Sequence, residues 1–109
     1  MEKNKFRKAV VLFGDEKAGL IEETEKGYRF TYNSEFIKKN KPLSVSLPIK
    51  REIYESADLF PFFVGLLPEG WYLDLVVKTL KIDKKDSFGI LLNTCKETIG
   101  AVAIIPEVR

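Results

Sequence analysis

A chain of 109 residues, 45% hydrophobic and 31% charged, is long enough to bury roughly 65% of its unfolded surface in one core and too short for two domains. Its 18 basic and 16 acidic residues leave a net charge of +2, and the Lys clusters at Lys3 to Lys8, Lys38 to Lys41 and Lys84-Lys85 are interrupted, which argues against a nucleic-acid-binding stripe. With no histidine and a single cysteine, Cys95, the usual general base, a Cys/His nucleophile pair, ordinary zinc ligation and an internal disulfide are all excluded.

The first half reads as strands. Phe6 to Phe13 is rich in β-branched and aromatic residues, Gly14-Asp15-Glu16-Lys17 is turn chemistry, and Gly19 to Thr24 returns as an antiparallel partner. After a second turn at Glu25-Lys26-Gly27, Tyr28, Phe30 and Tyr32 alternate with Arg29 and Thr31, completing a meander. Asn33 or Ser34 caps a short helix through Phe36-Ile37 that Asn40 and Pro42 end. Leu43, Val45 and Leu47 alternate with Ser44 and Ser46, which predicts a half-buried strand up to Pro48.

The second half reads as helices and a closing strand. Asp58 to Leu67 has the apolar density of a short buried helix, broken at Leu67-Pro68 because a residue before proline avoids the α region. A further helix is expected over Trp71 to Leu80. Asp86-Ser87 offers a cap for another, in which Phe88, Leu91, Leu92 and Cys95 share one face. Ile99 to Ile105, stopped by Pro106, is expected to insert into the sheet beside an early strand. The expected fold is α+β, a small, mostly antiparallel sheet with three to four short helices packed on one face, in a single domain over 1–109.

Several motifs resolve into structure rather than chemistry. Glu22-Glu23, Glu25 and Asp83 with Asp86 lie at strand ends and turns, where solvated charge is the default over metal binding. Gly14 to Gly19 has the glycine spacing of a phosphate loop, but the required Lys-Ser/Thr and the following helix are missing, so it reads as a hairpin turn. Asp86-Ser87-Phe88-Gly89 resembles an interrupted kinase Asp-Phe-Gly; without the other kinase signatures it reads as a helix cap plus a core phenylalanine. No cofactor is expected. The apolar stretches fall short of the ~18 residues of a membrane span, and the charged N-terminus has no signal-type apolar segment after it. Together with Cys95 as a buried thiol of a reducing compartment, these features predict a cytoplasmic protein.

Trp71, the chain's single tryptophan, stands apart. At about 100° per residue, Leu73, Val76, Val77 and Leu80 form the core face of its helix, and Trp71 lies nearly opposite, beside Leu75 and near Asp74 and Lys78. Two orientations remain open. Trp71 can point outward on the protruding Pro68-Glu69-Gly70 turn and ask for a partner, or it can fold back under the sheet or beneath the Ile49 to Tyr54 segment.

Leu43-Ser44-Val45-Ser46-Leu47-Pro48, Phe62-Phe63 with Leu66-Leu67-Pro68-Glu69-Gly70, Asp86 to Leu92, and Ile99-Gly100-Ala101-Val102 occur in the order and spacing of the N-terminal domain of HipA-type kinases. From Phe6 to Pro106 the chain resembles that domain, and Arg109 falls where the catalytic core of those kinases would begin. Separately encoded copies are similar to the HipS type of HipBST toxin-antitoxin systems. The resemblance implies a non-catalytic antitoxin that restrains a HipT-like Ser/Thr kinase toxin, with a HipB-like DNA-binding protein in a ternary complex and no direct nucleic-acid or membrane contact. The residues expected at the partner are Pro68, Glu69, Gly70, Trp71, Asp74 and Leu75. The competing readings are a docking subunit that completes the kinase or assembles it with the DNA-binding partner without inhibiting it, and an independent nucleic-acid-binding module.

Overall fold

A computed structural model of the protein describes residues 6–39, 41–44, 46–49, 52–94 and 102–107. The expected meander is formed by β1 (Lys8–Phe13), β2 (Glu16–Thr24) and β3 (Gly27–Tyr32), all antiparallel. The glycine-spaced loop is the β1–β2 turn, with Gly14 at φ 64°, where a side chain would be strained. β2 begins earlier than the sequence suggests, because Glu16 and Lys17 pair with Phe13 and Leu12 after a register shift at Val11/Leu12. Asn33 caps α1 (Ser34–Ile37), its side chain accepting from the Glu35 N–H at 3.0 Å.

The alternating segment from Leu43 to Leu47 is not a strand. Ser44 and Leu47 form an isolated bridge, the Leu47 N–H donating to the Ser44 carbonyl at 3.0 Å, while Val45 lies outside the described residues. Two hydrogen-bonding arrangements, one local and one long-range, override the alternation. The Ser44 hydroxyl accepts from the Ser46 N–H at 3.2 Å, a turn-forming bond that competes with a ladder. The phenol of Tyr32 then holds both ends of the loop, accepting from the Leu43 N–H at 2.9 Å and donating to the Leu47 carbonyl.

The sheet instead gains β4 (Ile53–Ser56), an edge strand absent from the sequence reading, which pairs with β3. The apolar run that follows yields only α2 (Pro61–Val64), much shorter than the expected Asp58 to Leu67 helix. Phe60, extended at ψ 142° as a pre-proline residue must be, sets the start, and the chain leaves α2 through Leu66 N–H to Phe63 and Leu67 N–H to Val64 turns before Pro68. Then come α3 (Gly70–Leu80), α4 (Ser87–Thr94) and β5 (Val102–Pro106). β5 pairs antiparallel with β1, giving the order β4-β3-β2-β1-β5.

One face of this sheet makes the core. Ala9, Val11, Ile21, Phe30, Tyr32 and Ile104 point into it and meet Phe36 of α1, Phe60 and Phe63 around α2, and Phe88 and Leu91 of α4. Each of the large apolar side chains among them contributes roughly 1.5–3 kcal/mol by leaving water. All of Phe88 to Leu92 is buried, so α4 is enclosed on more than the one face its pattern suggested; Cys95 and the Ile99 to Ala101 part of the closing segment lie outside the described residues.

Arg7 ties the start of α4 to the sheet. Its guanidinium donates to Glu23 at 2.8 and 2.9 Å and to Asp86 at 2.9 and 3.1 Å, and sits 5.4 Å from the centre of the Phe88 ring. Asp86 also caps α4 by accepting from the Gly89 N–H at 3.1 Å. A Cβ at Gly89 would fall 2.2 Å from the Asp86 carboxylate, so glycine here leaves the carboxylate its place.

The hydrogen bonds from Arg7 hold the Asp86 carboxyl below its usual range. For Glu23 burial pushes upward, but the side-chain and backbone hydrogen bonds from Arg7 outweigh it and the net shift is also downward. The same two partners, Glu23 first, raise the pKa of Arg7, which stays charged throughout. Both carboxyls being depressed on folding, their stabilisation is complete above the unfolded value near ~4 and is lost as pH falls through the folded values. Urea midpoints at neutral pH and near pH ~3 should therefore diverge more for the wild type than for Arg7→Met.

Candidate functional site

The turn that starts α3 decides which way Trp71 points. Glu69 is extended at φ −132° and ψ 165°, and Gly70 follows at φ 61°. A Cβ on Gly70 would meet nothing within 4 Å, so the left-handed backbone, rather than crowding, is what favours glycine. α3 thus starts at a left-handed glycine, and its first aromatic residue is exposed.

Trp71 is 76% exposed, which settles the two orientations left open by the sequence in favour of the outward one. Its ring meets Tyr72 edge to face at 6.0 Å, and Leu75, one turn on, is 49% exposed. Tyr72 is itself 50% exposed and escaped the sequence reading, because a helical projection places it beside Trp71 without marking it as exposed. On the inner side only Val76 is buried; Leu73 and Val77 are half-buried, and Leu80, expected on the core face, is exposed at the last helical position before the left-handed Lys81 cap.

The six sequence-selected residues therefore share one end of α3. Pro68 is half-buried, whereas Glu69, Gly70, Trp71, Asp74 and Leu75 are exposed. Asp74, expected to await a basic partner, is engaged by Lys84 at 3.1 Å. Both side chains of that pair are largely in solvent, so it is worth about 0–1 kcal/mol and exchanges readily for another cation. The arrangement offers an exposed apolar projection with a carboxylate at each side.

Other surfaces fit function less well. An open depression of about 770 Å³ lies beyond the opposite face of the sheet, lined by Lys8, Glu22, Arg29 and Glu55 among others. Arg29 donates there to Glu55 at 3.0 Å and Glu22 at 3.4 Å, so the lining charges already neutralise one another. Among the described residues no group of three or more His, Cys, Asp or Glu side chains could hold a metal ion, and no helix is long and apolar enough to cross a membrane.

The sequence pattern of the HipA N-terminal domain matches residues 9–105. An uncharacterized protein of Haemophilus influenzae is 40% identical over 98 residues, which cover 90% of each chain. The serine/threonine-protein kinase toxin HipA of Shewanella oneidensis is 29% identical over 76 residues, 70% of this chain and 17% of the toxin. Among solved structures, one described as the N-terminal domain of HipA toxin superposes with a TM-score of 0.76 at 34% identity, covering 100% of this chain and 99% of that one.

Proposed function

This chain belongs to the HipA N-terminal domain family, and from that premise we propose that it is a non-catalytic antitoxin that docks on a HipA-like Ser/Thr kinase toxin and blocks its active-site cleft with Trp71. The observation that carries this reading is a tryptophan 76% exposed just after the Pro68-Glu69-Gly70 turn. Leaving such a ring in water forfeits its burial, and tryptophans at protein surfaces lead the lists of interface hot spots. The kinship with a kinase toxin supports the partner class.

In the proposed complex Trp71 and Tyr72 enter the cleft, Leu75 packs at its mouth, and Glu69 and Asp74 face the basic residues that hold nucleotide phosphates. Pro68 fixes its own φ just before the turn, which lowers the ordering entropy that opposes docking. A HipB-like DNA-binding protein joins through the kinase, which leaves this chain without direct nucleic-acid contact.

Nucleotide competition tests the mechanism. If Trp71 occupies the ATP site, raising ATP well above its KM should shift the half-inhibitory concentration of this protein upward in proportion. Inhibition insensitive to ATP would reject nucleotide exclusion, and unchanged or raised turnover at saturating protein would favour a docking subunit instead.

A further inference from the structure

The apolar arc of α3 is wider than one packed face requires. At about 100° per residue, no charged residue falls between Trp71 and Val77 over about 240° of the helix circumference, and Asp74 and Lys78 share the remainder with Gly70. A helix that packs on one side needs an apolar stripe of only about 100°. The body of the protein takes one such stripe, where Val76 is buried with Leu73 and Val77 half-buried beside it. A second stripe of about the same width is left over. It consists of Trp71, Leu75, Thr79 and Tyr72, all exposed.

We propose that this second stripe seats in an apolar groove of the HipA-like kinase core, continuous with the cleft that Trp71 enters, so that α3 docks along its side over more than two turns. The inference rests on the antitoxin reading. Trp71, Leu75 and Thr79 stand at i, i+4 and i+8 on one line, so the stripe prolongs the contact already assigned to the docking turn. Thr79 ends it about 12 Å along the axis from Trp71. Charge borders the stripe on one side only, where Lys78 lies beside Asp74, itself tied to Lys84 at 3.1 Å. That border forms a polar rim, and the groove floor beneath the stripe is apolar. A second copy of the chain fits less well, because pairing two stripes would bury both Trp71 side chains and leave none for the kinase.

Calorimetric titration of the full chain against the purified kinase core tests the groove through Thr79. Thr79→Glu should weaken binding at least about tenfold by burying a carboxylate, and Thr79→Leu should tighten it about threefold by adding apolar surface. Lys78→Glu, a larger change of charge one residue away on the rim, should weaken binding by no more than about threefold. Both Thr79 variants binding as the wild type does, while Trp71→Ala binds weakly, would overturn the groove and leave the antitoxin reading standing. A loss from Lys78→Glu as large as that from Thr79→Glu would overturn it too, as a general effect of charge. A wild type that does not bind the kinase would remove the antitoxin reading and the groove with it. Sedimentation equilibrium of the free chain addresses the other occupant: self-association that Thr79→Glu abolishes would put a second copy on the stripe and contradict the proposal. Thr79→Glu sets a carboxylate near the C-terminus of α3, so urea denaturation checks that it folds. If it does not, Thr79→Leu decides, tighter binding supporting the groove and unchanged or weaker binding overturning it.

Discussion

Trp71→Ala should weaken binding to the kinase core by roughly 30- to 1,000-fold, the equivalent of ~2–4 kcal/mol, while leaving the unfolding transition of the isolated protein within ~0.5 kcal/mol of wild type. The two halves of this result come from one number. A side chain 76% exposed contributes little to its own fold, so its area is still available to a partner. Calorimetric titration and urea denaturation of the same preparation measure both quantities. Loss of stability matching the loss of affinity would mean that Trp71 supports the fold; unchanged affinity would mean that it does not touch the kinase. Leu75→Ala should act in the same direction with a smaller effect, since its exposed area is smaller.

The opposite behaviour is expected of Phe63→Ala. Phe63 is fully buried, with ring contacts to Phe62 at 5.1 Å, Phe30 at 5.8 Å and Phe60 at 6.3 Å. Emptying that site should cost ~3–5 kcal/mol, transfer and cavity terms together, against a total stability of ~5–15 kcal/mol for a typical domain. In a chain of this size that is a drop in Tm of about 13–22 °C. Phe63 belongs to the short helix between the sheet and the Pro68 turn, so the variant should also loosen the presentation of Trp71. A fall of less than ~1 kcal/mol would show that the core beneath α2 repacks and that the turn does not depend on it.

These two residues mark how far the sequence could be read. The meander was legible because β-branched and aromatic residues in β1 and the alternation of Tyr28, Phe30 and Tyr32 in β3 have a single geometric reading. Asp86 as a cap, and Phe88 with Leu91 and Leu92 as core, were legible for the same reason on a helix. Ile53–Ser56 was missed because an edge strand bonded on one side only needs little apolar content, and Glu55 reads equally well as loop. Leu43 to Leu47 misled because its alternation is real but the Ser44 turn and the Tyr32 hydroxyl, a contact between distant parts of the chain, use its backbone differently.

The candidate site shows the same division. Its composition was visible in Pro68, Glu69, Gly70, Trp71, Asp74 and Leu75, yet the direction of Trp71 was not. Periodicity places Trp71 opposite the core face only if its backbone is helical; the left-handed Gly70 sets where the helix starts, and φ is not written in the sequence. The exposure of Tyr72 beside it and the Lys84 partner of Asp74 likewise depend on how the chain packs in three dimensions.

The most direct measurement is phosphoryl transfer by the purified HipA-like kinase core, titrated with this protein and with its Trp71→Ala variant. Stoichiometric loss of activity with the wild type and little loss with the variant is the predicted result. Kinase turnover that stays constant or rises with the wild type would contradict the antitoxin account.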